Sequence, residues 1–494
     1  MISPFTGVIG ILALFLFAGL MSENRRAINW RLVISGIALQ ILLAVFCLKV
    51  QVGRELFHSL GQGIEQLLHF SDIGGGFVFG FLVNKPMQLN TVFGPGSSFI
   101  FAFKLVPTII FVATLVGIAY HLGIIQCVIR IVAWFVYKMM GASGAEALSN
   151  AASIFVGQVE AQLLIKPYLP TMTRSELLAV MSGSMACIAG GVMAVYIQMG
   201  IPAEFLLTAS LMSVPGALVM SKLLIPETQA SLTRGSVRLA IRRESVNLID
   251  AAARGASDGM RIGLNVCAML IGFMALIGLL DFLVGRIGLL LASYGLSLSM
   301  IGIDLTHLSL NSILGTLFSL LAIALGVPMQ DAHFVGGLMG AKMVTNEFVA
   351  YATLAPKIAA HQLSPKSLAI ASVALCGFAN FSSVAMQIGG IGEMAPSRKQ
   401  DLARLGFKAL LCGTMASYVS SALAGMLVSM NTADGTPENS WIAGGIMVAA
   451  VVLIFISRFL PDGTQAWLRL EDNATTPTTV LPPTTPLHLV SRTH

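Results

Sequence analysis

The residues best suited to chemistry are Gly157-Gln158-Val159-Glu160, a polar knot within long apolar sequence. The second half of the chain repeats the pairing of amide and carboxylate in Asn346-Glu347-Phe348-Val349-Ala350-Tyr351. A carboxylate at membrane depth costs about 2.5–3.5 kcal/mol on insertion scales, so it is rare without a partner or a task. Two of them, one in each half, predict a single shared polar site that binds a polar solute near the midplane. Gln158 and Asn380 offer donors and acceptors, whereas Glu160 and Glu347 offer acceptors when ionised. Asn380 and Ser383 are three apart and share a face wherever the chain is helical. Carboxylates with an amide suit vicinal sugar hydroxyls, and Gln with Glu suits the edge of a nucleobase. Phe378 and Phe381 offer a flat apolar wall. Neither hairpin tip carries Arg or Lys, which argues against phosphate or carboxylate substrates.

Each of these residues has a plainer reading. Gln158 and Asn380 could be glue between helices, worth about 0.6 kcal/mol on average. Glu160 could pair with Lys166, Glu347 with Lys342, and Phe378 could simply pack. The eight His show no HExxH-type spacing, so no metal site is expected. Asp250, Asp258 and Asn265 read as helix caps. The Gly-rich stretch from Asp72 to Gly76 lacks nucleotide-binding spacing, so no nucleotide hydrolysis is expected.

These groups must be held by membrane helices. Of 494 residues, 56% are hydrophobic and only 11% charged, against about 25% charged in soluble domains. The net charge of +6 reads as loop bias, with no basic patch for nucleic acid. The six Cys form no CxxC and behave as small apolar residues. The first twenty residues lack a basic leader and a cleavage site. Arg25, Arg26 and Arg31 follow the apolar run, so an uncleaved first helix with its N-terminus outside is expected.

Apolar runs of near-spanning length occur at Val8–Leu20, Leu32–Leu48, Ile100–Tyr120, Leu177–Met199, Phe205–Leu224, Ile262–Val284, Leu368–Ile391, Leu405–Val428 and Trp441–Leu460. The inner loops carry Lys222, Arg234, Arg238, Arg242, Arg243 and Arg254, then Arg398, Lys399, Arg404 and Lys408. The outer loops near Asn84–Ser98 and Asn431–Ser440 are Gly-, Pro- and Asn-rich. Positive-inside alternation holds only if Glu146–Tyr168 and Leu310–Pro356 do not cross, so both are expected to be re-entrant hairpins. Each precedes a helix expected to break, near Ala189-Gly190-Gly191 and at Phe378–Ser383. The expected fold class is an all-α polytopic membrane protein. It has an inverted repeat with two re-entrant helical hairpins and broken transmembrane helices, with about eight core spans plus one extra C-terminal span.

Leu122–Met140, with Arg130 and Lys138 among apolar residues, suits a helix lying at the inner interface. The expected domains are scaffold helices over 1–120 and, over 121–428, an interfacial helix with two hairpin and broken-helix repeats. An extra helix follows over 429–460, then a disordered tail over 461–494.

At Gly157–Glu160, Asn346–Tyr351 and Cys376–Ser383 the chain resembles the concentrative nucleoside transporter family. Weaker likeness lies in Gly326-Val327-Pro328, in Asn247–Ala253 and in Gln387-Ile388-Gly389-Gly390, and the whole runs from about the first helix to Val428. The resemblance implies a homotrimer whose transport domain shifts against a scaffold in an elevator-like motion. It implies that Gln158 and Glu160 bind the nucleobase, lined by Gly157, Val159 and Val192. Glu347, Asn380 and Ser383 would hold the ribose hydroxyls, with Phe378 beside the ring.

The chain departs from sodium-coupled relatives. It has Ser153 where they carry Asn, and Cys187 where they carry Ser or Thr. A thiol suits a hard cation poorly. Ser153, the Val156 carbonyl and Cys187 would hold sodium if sodium is coupled, and Glu347 would carry the proton if a proton is. The departures favour the proton. Gln162 replaces the Pro common just after such tips. The expected function is a cation-coupled nucleoside symporter of a bacterial inner membrane, with no organic cofactor and no enzymatic activity. Its partners are a nucleoside, the bilayer and copies of itself, with no nucleic acid. A carrier of nucleobases or modified nucleosides is the nearest alternative. An ion channel or membrane-embedded hydrolase is a more distant one.

Overall fold

A computed structural model describes residues 6–84, 100–233, 245–294, 305–429 and 438–460. The stretch 85–98, Arg234, Arg238, Arg242, Arg243 and the tail from 461 lie outside the described residues. Among those described, all regular structure is helical.

The N-terminal helices are α1 (Gly7–Leu20), α2 (Trp30–Leu48), α3 (Gln51–Phe79), α4 (Phe101–His121) and α5 (Ile124–Met140). The stretch forming α3 had no assigned element. Its charges, Arg54, Glu55, Glu65 and Asp72, hide an amphipathic helix that buries Phe57, Gly61, Leu68, Ser71 and Gly75 on one stripe. α5 behaves as its sequence suggests. Ile125, Ile129, Ala133, Val136 and Met140 are buried on one face, and Arg130 and Lys138 are exposed. Gly141, at φ +70°, ends α5 in a left-handed turn that side chains rarely adopt.

The middle of the chain forms α6 (Gly144–Ala152), α7 (Arg174–Ala186), α8 (Gly190–Gln198), α9 (Ala203–Leu224) and α10 (Leu248–Ser293). α10 has 46 residues and so runs about 69 Å, well beyond the expected Ile262–Val284. It packs along α4. Close approach is possible because Gly255 and Gly259 face the α4 backbone and Gly117 faces Ala251, the small-residue solution for helix pairs in lipid.

The C-terminal part forms α11 (Leu310–Ala324), α12 (Met329–Val344), α13 (Glu347–Ala359), α14 (Pro365–Leu375), α15 (Phe381–Met394), α16 (Lys399–Ser429) and α17 (Glu438–Ser457). α16 is the central post, packed against α1, α7, α9, α14 and α15. Gly406, Gly413 and Gly425 on α16 receive Val384, Met185 and Ile370. α17 docks on α2, where Ala38, Ala450 and Ile454 form a small core.

Six described stretches are long and apolar enough to cross a membrane: Trp30–Leu48, Ala102–His121, Arg174–Gln198, Ala203–Leu224, Leu248–Ser293 and Pro396–Val428. Gly7–Leu20, Pro365–Leu375 and Gly445–Ser457 are shorter apolar helices. The protein is a multi-pass membrane protein.

The hairpin segments differ in detail from expectation. Glu146–Tyr168 has one regular arm, α6; beyond it only a single helical turn, Glu160–Leu163, forms. Leu310–Pro356 is three helices rather than two arms. α11 and α12 meet at a bend of 118°, where Gly326 takes φ +103° and Pro328 fixes the next turn. α12 then gives way to α13 at Thr345 and Asn346.

Candidate functional site

Both broken helices break where the sequence indicates. α7 stops at Ala186 and α8 restarts at Gly190; α14 stops at Leu375 and α15 restarts at Phe381. The breaks touch, with the Phe378 N–H donating to the Cys187 carbonyl at 3.3 Å. Gly377 permits this contact. A side chain there would meet the Ala186 carbonyl oxygen at 2.8 Å, and its φ of +142° is costly for other residues.

α15 carries the centre of the site. Asn380 caps it: Oδ1 accepts from the Ser383 N–H at 2.8 Å and from Ser382 Oγ at 2.9 Å. The other end of the same amide reaches back, Nδ2 donating to Glu347 Oε2 at 2.9 Å. Tyr196 O–H, from α8, donates to Glu347 Oε1 at 3.2 Å. Glu347 is itself the first residue of α13, where the helix dipole favours a carboxylate, and Asn346 caps that helix through the Val349 N–H.

Along the same face of α15 stand Ser383 and Gln387, both fully buried. Gln158 Nε2 donates to Ser383 Oγ at 3.3 Å, and Gln387 Nε2 donates to Gln158 Oε1 at 3.4 Å. One helix face, bearing Asn380, Ser383 and Gln387, thus joins the first tip to the second hairpin. Val159 packs on Gly390 of α15, where an added methyl would lie 2.4 Å from its Cγ1.

Other expected residues make no side-chain hydrogen bond to this cluster among the described residues. Glu160 is exposed, its carboxylate folded back over Gly157. Among the described residues no hydrogen bond links it to Glu347. Val192 and Phe378 are half-buried beside the breaks. Ser153 donates to the Ser149 carbonyl at 2.9 Å and meets Ser184 Oγ at 3.0 Å. The Cys187 thiol meets Ser213 Oγ at 2.8 Å. The Val156 N–H bonds the Ala152 carbonyl at 3.0 Å. Neither suggested ion pair forms among the described residues: Lys166 is exposed, and Lys342 Nζ donates to the Ala374 carbonyl at 2.9 Å.

The base of the first hairpin is pinned by charge. Lys222 pairs with buried Glu146, and with Glu227 at 3.3 Å, while donating to Ser175 Oγ at 2.9 Å. Glu146 and Glu176 each close a capping box, at the starts of α6 and α7. This ties α6, α7 and α9 together.

Two sequence comparisons and one of structure agree with this geometry. Residues 9–82 and 205–425 match the N- and C-terminal parts of the family described as Na+ dependent nucleoside transporter, and 102–203 match one described as nucleoside recognition. The nucleoside permease NupC of Helicobacter pylori is 41% identical over 432 residues, covering 87% of this chain and 99% of that protein. The chain belongs to the concentrative nucleoside transporter family. This transporter is also 36% identical over 433 residues to human solute carrier family 28 member 3, covering 85% of the chain and 58% of that protein. It superposes on the structure of CNTnw in an inward-facing substrate-bound state with a TM-score of 0.79. That match has 40% identity and covers 87% of the transporter and 99% of CNTnw. Tyr196 and Gln387 join the hydrogen bonds around Glu347 and Gln158, and Gln162 stands behind the tip, although the sequence reading gave none of the three a binding role. Gln387 alone had a usable signal, standing four residues after Ser383 on one helical face.

Proposed function

We propose that the protein imports nucleosides across a bacterial inner membrane as a cation-coupled symporter, binding the solute along α15 between the two hairpins. The observation that carries this reading is the Glu347–Asn380–Tyr196 cluster joined through Ser383 to Gln158. An ionised carboxylate offers about four acceptor positions. Two are taken by Tyr196 and Asn380, which leaves room for the two donors of a ribose. The Gln158 bonds, at 3.3 and 3.4 Å, are longer than the usual 2.9–3.0 Å and exchange readily for a base edge. Gly157, Val159, Val192 and Phe378 line the base end, with Glu160 swinging in from the tip when solute is bound.

Coupling to a proton is favoured over sodium. The Ser153 hydroxyl and the Cys187 thiol already have protein partners, and the thiol remains a poor ligand for a hard cation. Glu347 is the proton carrier in this scheme. An inverted repeat, a homotrimer, an elevator-like movement and the four-part division at 120, 428 and 460 complete the proposal.

Radiolabelled uridine uptake into proteoliposomes, under separately imposed sodium and proton gradients, tests both parts. Saturable uptake driven by a pH gradient supports the reading. Uptake that needs sodium and ignores pH overturns the coupling, and no saturable uptake under either gradient overturns the function.

A further inference from the structure

Gln162 lies just past the first tip and is fully buried. Its side chain accepts from Ser149 Oγ at 2.5 Å and donates to Ser184 Oγ. The same nitrogen donates to the main-chain carbonyl of Gln158 at 3.2 Å. Ser149 belongs to α6 and Ser184 to α7, and Ser184 is tied to Ser153, the C-cap of α6. One amide therefore links two rigid helices to an irregular tip.

The tip needs such a link. Residues 153–159 form no regular helix; turn bonds from the Phe155, Val156, Ala161 and Gln162 N–H groups brace the tip, but among the described residues none of these reaches the Gln158 carbonyl. Gln158's side chain is held by three long bonds, to Ser383 Oγ, to Met386 Sδ at 3.7 Å and from Gln387. Where its amide points thus depends on where its backbone is held, and the Gln162 bond to the Gln158 carbonyl does the holding. Lys222 and the capping boxes tie the starts of α6 and α7, and Gln162 bridges the same two helices further along, at Ser149 and Ser184.

We propose that Gln162 is a positioning residue for base recognition: through the Gln158 carbonyl it aims the Gln158 amide and so sets affinity for the base end of the solute without touching it. The proposal rests on the nucleoside reading of the site.

A double-mutant cycle tests it, with KM for uridine uptake measured for the unmodified protein, Gln162→Leu, Gln158→Ala and the double variant. Gln162→Leu removes all three bonds, and loss of the one to the Gln158 carbonyl is expected to raise KM about tenfold, the equivalent of about 1.4 kcal/mol. In the Gln158→Ala background the same substitution is expected to change KM by less than about twofold, since the group it aims is gone. A tenfold effect in both backgrounds, or none in either, would overturn the proposal. If Gln162→Leu does not fold, Gln162→Glu enters the same cycle; it keeps the Ser149 bond and loses the donor to Gln158. Failure of both variants to fold would make Gln162 a structural strut and also overturn it. Saturable uptake by the unmodified protein reports on the nucleoside reading separately.

Discussion

Asn380 performs two tasks with one side chain, and a single substitution separates them. Its Oδ1 caps α15 and its Nδ2 bridges to Glu347. Ser caps a helix about as well as Asn, so Asn380→Ser keeps the start of α15. The substitution removes the donor to Glu347, and a hydrogen bond to a charged group contributes about 1.5–3 kcal/mol. Each 1.4 kcal/mol is about tenfold in an equilibrium. If that bond orients Glu347 for the ribose, KM for uridine rises roughly ten- to a hundredfold. The same bond is present without solute, so the melting temperature in detergent also falls, by the share that one bond contributes. Asn380→Ala loses the cap as well, which costs about a further 1 kcal/mol of stability and lowers the melting temperature. Initial uptake rates in proteoliposomes, with thermal unfolding of the same preparations, provide the readout. A KM for Asn380→Ser within about twofold of the unmodified protein would refute the bridge as a recognition element.

Three further outcomes follow from the packing. Gly390→Ala is expected to impair uptake by pushing Val159 off α15, and Val159→Ala added to it restores uptake, because the clash is with the Val159 methyls; uptake unaffected by Gly390→Ala would contradict the tip contact. Gly377→Ala is expected to lower the melting temperature, since its Cβ meets backbone carbonyls at a φ that costs other residues about 1–3 kcal/mol; an unchanged melting curve would contradict the close approach of the two breaks. Lys222→Met leaves Glu146 buried without a counter-charge, at a cost of about 3–5 kcal/mol, and Glu146→Gln added to it recovers part of the loss; a Lys222→Met protein that melts normally would show that the hairpin base is held otherwise.

The helix breaks were readable because Gly, Asn and Ser interrupt apolar runs at residues 187–191 and 376–383, where a membrane helix has few reasons to carry them. That Glu347 and Asn380 share one site was implied by the family resemblance, not by their spacing. Tyr196 was not readable. In sequence it is one aromatic among apolar residues, and it reaches Glu347 only because α8 restarts after the break. Glu160 was expected beside Glu347. The helical turn Glu160–Leu163 instead turns Ala161 and Gln162 inward and leaves Glu160 and Leu163 exposed. A turn within Leu310–Pro356 was expected from the hairpin reading, and Gly326 and Pro328 mark where α11 bends into α12. Gln162 was visible only as a departure at the tip. Two of its three bonds go to serines contributed by two other helices, and the third to the Gln158 carbonyl.

The central claim is that Glu347, held by Asn380 and Tyr196, grips the ribose of a nucleoside whose base meets Gln158. Uptake of radiolabelled uridine by proteoliposomes carrying the unmodified protein or Glu347→Gln tests it most directly. Saturable uptake by the first, and uptake no greater than protein-free liposomes by the second, is the predicted result. Equal saturable uptake by both proteins would contradict it.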